Sequence, residues 1–399
     1  MRTKLLLASA TMLAAGLANP PNAQARARDG SGVWRFDARA VNGSFGRTVG
    51  TGPDRWLSVT AGGYDVTVRL ADIFGTYLAS GAETFSGCGS GPCIRASSVY
   101  TLKGHFSSRN QDNMCVFYRW YWTNEPDIVC YDQYGSGLYV TAPVERNTAF
   151  AYAMPATPSS PGNGYAVGDF DGDGFDEVLT YNHADGSGAR VWHYDPSTWR
   201  FVENTNMPAN LAGLNWPGGV RMYAGNFHDS DGFTGLDDLV VANETTREII
   251  VYESRRPSGG YARFWGWYGP TSQAGITVDD DITVARYDES GFEALVRNTY
   301  QGSGNRGKLR AFALAWPMTE ITANSDMANM QTSDTTGFTG QVHLVWGEIN
   351  GYDALRDDNF QFFDDYTQYS AYDAHPGSPP PWWIWFSQNT NYLRYELGF

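Results

Sequence analysis

The run Gly168-Asp169-Phe170-Asp171-Gly172-Asp173-Gly174-Phe175-Asp176-Glu177 has the residue types and the spacing to hold a metal ion. Asp169, Asp171 and Asp173 alternate, Gly174 permits a sharp turn, Phe175 offers its carbonyl, and Glu177 stands at the ninth position of the loop. Oxygen donors at positions 1, 3, 5, 7 and 9 suit calcium, a hard cation that takes several carboxylate and carbonyl ligands. Carboxylates this crowded repel one another unless a cation lies between them. The plainer reading is a solvated Asp-Gly turn. An EF-hand does not fit, because its bidentate Glu would fall on Thr180 and the flanks are β-branched and aromatic rather than helical.

A second run, from Gly225 to Asp238, keeps the same flanks but is longer; a site there would use Asn226, Asp231 and Asp238, with Asp229 standing in for His228. Catalytic candidates are scarcer. Acid–base chemistry needs a His or Tyr base, or a spaced carboxylate pair, converging on a pocket. The histidines His105, His183, His193, His228, His343 and His375 form no recognisable constellation in sequence. His183 is the best single candidate, and it reads more simply as a solvated loop residue.

The elements that must position these residues emerge from an internal repeat. A β-rich run, a small residue, a spacer, an aromatic or apolar residue and a polar loop recur as VNGSF, LKGHF, AVGDF, YAGNF, VARYD and VWGEI. The anchors Gly43, Gly104, Gly168, Gly225, Ala285 and Gly347 lie about sixty residues apart. Within a unit the pattern divides into four strands, as in Tyr165 to Phe170, Glu177 to Asn182, Arg190 to Asp195 and Trp199 to Glu203, joined by hairpin-length polar turns. The spacing predicts an all-β fold, a six-bladed β-propeller of four-stranded antiparallel blades occupying 26–399 as one domain. A β-sandwich or an array of small domains is the rival. Closure is expected to pair Gly32 to Asp37 with strands drawn from Trp382 to Phe386 and Tyr392 to Leu397.

On these motifs the chain resembles the FG-GAP family, also called VCBS-type repeats, which includes the propellers of integrin α subunits. GDFDGDGFDEVL is similar to that family's calcium loop almost position for position. The resemblance implies that the loop joins the first two strands of a blade and that Asp169, Asp171, Asp173, the Phe175 carbonyl and Glu177 are the ligands. Glu177 departs from the family's usual Asp. The other units depart further, with His105 and Arg286 at the first ligand position.

The surroundings are those of an exported protein. Arg2 and Lys4 precede the apolar stretch Leu5 to Leu17 and the small-residue site Ala23-Gln24-Ala25, so residues 1–25 read as a secretory signal peptide. That stretch is too short to be a membrane span, and no later one is longer. A secreted destination, whether periplasmic, extracellular or at the cell surface, is expected to oxidise thiols. Four cysteines therefore imply two disulfides, with local pairing of Cys88 with Cys93 and of Cys115 with Cys130 expected. Net charge of −15 argues against a nucleic-acid partner.

Two classes of function survive. One is a recognition or adhesion module for a glycan or protein ligand, supported by 14 Trp and 24 Tyr that could stack on sugars or anchor an interface. The other is a carbohydrate-active enzyme, a polysaccharide lyase or glycosidase. Blade cores also consume aromatics, and Trp192, Trp265 and Trp267 could be packing alone. Long links such as Pro143 to Gly164 fall on the face opposite the acidic loop, where a ligand is expected to enter.

Overall fold

The computed structural model describes side chains chiefly between residues 64 and 254, leaving loops such as 108–112, 141–147, 157–161, 206–216 and 228–235 outside the described residues. Elsewhere it describes mainly the strands, and residues 1–25 and 390–399 are not among those described, so the expected signal peptide lies outside them.

Described strands form six four-stranded sheets, each in simple chain order and antiparallel throughout. Sheet 1 holds Val41–Gly46, Arg55–Ala61, Asp65–Ala71 and Tyr77–Thr84. Sheet 2 holds Tyr100–Gly104, Asn113–Arg119, Pro126–Tyr134 and Gly137–Val140. Sheet 3 holds Asn163–Gly168, Glu177–Asn182, Arg190–Asp195 and Arg200–Glu203, and sheet 4 Val220–Gly225, Asp238–Asn243, Ile249–Arg255 and Arg263–Gly266. Sheet 5 begins with Asp281–Ala285 and sheet 6 with Val342–Gly347. The first strand of each sheet neighbours the first strand of the next, and that of sheet 6 neighbours that of sheet 1. The chain is an all-β propeller. No described helix is long and apolar enough to cross a membrane.

Burial explains why the inner strands read as nearly unbroken apolar runs. Side chains alternate across a strand, and here both faces are covered by a neighbouring sheet. In the second strand of sheet 2, Met114, Val116 and Tyr118 join Val66 and Val68 of sheet 1. Cys115 and Phe117, between them, join Tyr165, Val178 and Trp192 of sheet 3. Val178 faces sheet 2, and Leu179, the next residue, packs with Met222 and Val241 of sheet 4. Tyrosine hydroxyls add polar ties: Tyr165 donates to the Thr101 carbonyl at 3.0 Å, and the Met222 N–H donates to the Tyr181 hydroxyl at 3.0 Å.

Three expectations need correction. In the first unit the residue that ends the first strand and pairs with the start of the second is Gly46, opposite Arg55, as Gly104 pairs with Asn113 and Gly168 with Glu177. Gly43 lies within the strand, opposite Ser58; the motif VNGSFG contains two glycines and the spacing alone chose the wrong one. Among the described residues the N-terminal strand does not pair with Trp382 to Phe386, and Tyr392 to Leu397, the other expected closing strand, lies outside the described residues. Trp34–Phe36 pairs with Arg26–Arg28, and Trp382–Asn389 is already the fourth strand of sheet 6, paired with Gln368–Ala374. Finally, the link from Pro143 to Gly164 contains a short helix, Ala149–Ala153, capped by the Thr148 hydroxyl accepting from the Ala151 N–H. Its Phe150 is fully buried against Phe117, Trp192 and Phe201.

Candidate metal centre

The acidic loop joins the first two strands of sheet 3, from Gly168 to Glu177. Its backbone folds around its own carboxylates. Asp169 accepts from the N–H of Gly172 at 2.7 Å and of Gly174 at 2.9 Å; Asp171 accepts from Asp173 at 3.1 Å and Asp173 from Phe175 at 2.8 Å. Gly172 and Gly174 take φ of 73° and 86°, left-handed values that glycine adopts without strain. Glu177, only 1 % exposed, receives the Phe170 N–H at 2.9 Å.

Ligand atoms of Asp169, Asp171 and Glu177 all lie within 4.8 Å of one another. Asp173 is not in that group, and Phe175 sits in the turn with its N–H engaged by Asp173. Burial, together with the charges of Asp171 and Asp169, pushes the Glu177 carboxyl up to about 10. Burial first, and then the charges of Asp176 and Asp173, pushes Asp169 up to about 7 against the pull of its two backbone hydrogen bonds. Three converging carboxylates, one of them buried and two of them resisting ionisation, form a donor set that suits a hard divalent cation.

Sequence reasoning missed a second set of acidic residues, which among the described residues clasp sheet 2 to sheet 3, sheet 3 to sheet 4 and sheet 4 to sheet 5. His105, just past Gly104, donates its N–H to Asp176 of sheet 3 at 2.7 Å, and the Asp176 N–H returns a bond to the His105 carbonyl at 3.1 Å. Asp169 and Asp237 repeat the exchange at 2.9 and 2.8 Å, and Asn226 and Glu293 at 2.7 and 2.8 Å. The carboxylates lie over the anchor glycines. A Cβ added at Gly104, Gly168 or Gly225 would meet Asp176, Asp237 or Glu293 oxygen at 2.8, 2.6 or 2.5 Å. The anchor is small because the next sheet's acid occupies the space. A signal was present: the residue before every second strand is acidic, Asp54, Asp112, Asp176, Asp237, Glu293 and Asp357. Burial, with Glu293 and Asp176 nearby, raises Asp237 well above the usual carboxylate range.

The remaining candidates are more ordinary. Asp238 is buried and accepts from the Ser254 N–H at 2.9 Å, Asn226 is engaged in the clasp, and Asp231 lies outside the described residues. His183 follows the second strand of sheet 3 and serves through its backbone, donating to the Gly162 carbonyl at 3.2 Å and accepting from Val220 at 2.7 Å. Trp192 is packing, its indole N–H bonded to Thr180 at 2.9 Å. Both disulfides pair as expected, Cys88 with Cys93 and Cys115 with Cys130, the latter directly opposite in neighbouring strands.

No protein-family model matches the chain, and no curated protein matches it. Among solved structures it is similar to a six-bladed β-propeller fucose-binding lectin from Aleuria aurantia, at 10 % identity over 87 % of this chain and 94 % of that one, with a TM-score of 0.43. It is also similar to a variant of AofleA from Arthrobotrys oligospora, at 11 % identity over 89 % and 87 %, TM-score 0.45. A Bacillus licheniformis rhamnogalacturonan lyase follows at 12 % identity, 87 % and 73 % coverage, TM-score 0.34. Similarity at this level does not carry a ligand or an activity from those proteins to this chain.

Proposed function

We propose that the chain is a secreted, six-bladed calcium-binding propeller of the FG-GAP or VCBS type that acts as a recognition module for glycans. The convergence of Asp169, Asp171 and Glu177 carries the calcium reading. Asp173 and the Phe175 carbonyl complete the donor set once the turn closes on the ion. Calcium supplies charge neutralisation that stiffens a loop already clasped by Asp237, which is a structural role rather than a catalytic one.

Recognition belongs to the opposite face. In a sheet of order 1-2-3-4, links between strands one and two and between three and four share one end; links between strands two and three and between sheets share the other. Of the exposed large aromatics among the described residues, Trp199 lies at the first end, while Tyr64, Tyr121, Trp122 and Tyr152 lie at the second. Aromatic faces left in water at link positions suit sugar C–H faces, and the acidic metal loop stands apart from them.

A glycan array combined with incubation of the protein with mixed polysaccharides tests the reading. Retention without cleavage is the expected outcome. New reducing ends or unsaturated products would show an enzyme, and absence of retention on every glycan would overturn recognition.

A further inference from the structure

The turn that follows Asn113–Arg119 in sheet 2, Trp120-Tyr121-Trp122-Thr123-Asn124-Glu125, leaves a tryptophan in water and yet is held fast. Trp122 is 67 % exposed and Tyr121 40 %. The Trp120 N–H donates to the Glu125 carbonyl and the Asn124 N–H to the Trp120 carbonyl, both at 3.0 Å. Asn124 takes a φ of 61°, a left-handed value that Asn tolerates better than most residues. Arg119 grips the Asn124 carbonyl at 2.9 Å from below.

The disulfide loop 88–93 anchors the turn from the side. Tyr121 donates its N–H to the Cys93 carbonyl at 2.8 Å, and Arg95 donates to the Arg119 carbonyl at 2.9 Å. Gly91 lies against the indole so closely that an added Cβ would stand 2.9 Å from it. Arg95 completes the surface: its Nε donates to the Tyr121 carbonyl at 3.2 Å, and its guanidinium carbon lies 5.8 Å from the Tyr121 ring centre. Tyr121 and Trp122 meet edge to face at 5.0 Å. Among the described residues, the terminal nitrogens of Arg95 and the indole N–H of Trp122 make no hydrogen bond.

We infer that this turn is a sugar-binding platform, on which one pyranose ring of an oligosaccharide stacks against Trp122 while Arg95 and the Asn124 amide hydrogen-bond its hydroxyls. The inference rests on the recognition reading and gives it a location. An exposed indole fixed by a disulfide loop loses little entropy on binding, which is what a weakly held small ligand requires. Two rings and a guanidinium cover far less than the roughly 800 Å² per partner of a stable protein interface, which favours a sugar over a protein. In a chain of net charge −15, a guanidinium beside the rings also suits an electron-rich sugar edge.

The test uses the full chain on an array of neutral and uronate oligosaccharides, followed by titration with the best-retained one. Trp122→Ala and Arg95→Ala should each weaken binding about tenfold or more, with melting unchanged, and Trp122→Phe should recover part of the loss. Wild-type retention that Trp122→Ala leaves unaltered would overturn the platform and leave recognition standing elsewhere. Retention of nothing by wild type would overturn both. Stronger loss with Arg95→Ala on uronates than on neutral sugars would identify the edge that the guanidinium meets.

Discussion

In sheet 2 the turn from Gly104 to Asn113, and in sheet 3 the turn from Gly168 to Glu177, are built in one frame. Each begins at a glycine covered by the next sheet's carboxylate, each is clasped through the backbone of its first residue, and each ends where that glycine pairs across the strands. Their chemistry differs. Asn113 satisfies itself with Ser107, accepting its N–H at 2.8 Å and donating to its hydroxyl at 2.9 Å, a neutral arrangement that needs no ion. Glu177, at the matching position, is a buried acid facing Asp169 and Asp171. On the calcium reading proposed above, the clasp is the scaffold and metal binding an addition to it at the sheet 3 turn.

The largest expected effect separates the two turns by calcium. At a hundredfold excess over Kd, calcium should stabilise the wild-type protein by about 2.7 kcal/mol, a melting shift of several degrees. Asp171→Asn with Glu177→Gln preserves shape and removes two charges, and should abolish that shift. Magnesium should replace calcium poorly, since it retains its waters. If calcium raises wild type and double variant equally, or neither, the sheet 3 turn is an ordinary acidic turn like its neighbour.

Breaking the shared frame should cost a comparable amount or less and should not depend on the metal. Asp176→Ala strips the acceptor from His105 of sheet 2, and Asp237→Ala strips it from Asp169 of sheet 3. Each loss of a part-buried partner should destabilise by about 1–3 kcal/mol in chelator, measured by urea unfolding. Asp→Asn at either position should restore part of it. A harmless Asp176→Ala beside a severe Asp237→Ala would mean that the clasp serves the metal loop alone.

A pH series sharpens the contrast. In the metal-free protein Asp169 is raised to about 7 and Glu177 to about 10, above their ordinary 3.8 and 4.5. The folded state therefore holds more protons than the unfolded state across this interval, and stability falls as pH rises from about 5 towards 9. Urea midpoints in chelator at pH 5, 7 and 9 should decline, less so in Asp171→Asn with Glu177→Gln. Parallel profiles for wild type and variant would remove Glu177 as a cause.

Much of this architecture was legible because its causes are local. Repeated anchors gave the sheets, and Glu177 to Asn182, Arg190 to Asp195 and Asp238 to Asn243 begin and end where their polarity pattern places them. The acidic spacing placed Asp169, Asp171 and Glu177 together. What escaped depends on a neighbouring sheet. Asp176 and Asp237 were assigned no role from sequence because their partners lie far away along the chain, across a sheet boundary. Helix Ala149–Ala153 escaped because a single turn leaves no periodicity, its position being set by Phe150 filling the space beside Trp192 and Phe201. Gly43 was mistaken for Gly46 because only strand pairing distinguishes two glycines in one strand.

The smallest expected effect comes from His105→Asp, which places a carboxylate at the first position of the sheet 2 turn. The clasp acts on the backbone of residue 105, both as donor to Asp176 and as acceptor from it, so the substitution leaves those bonds in place. One new acid does not make a calcium site, because the alternate positions that follow hold Ser107, Arg109, Gln111 and Asn113, one of them a cation. Stability should change by about 1 kcal/mol or less, and the calcium-induced melting shift should stay at its wild-type size. Extra calcium stabilisation in His105→Asp would show that the frame itself, more than the carboxylate count, makes the site. The two turns would then differ by one residue, and the contrast between a bare scaffold and an added metal centre would fail.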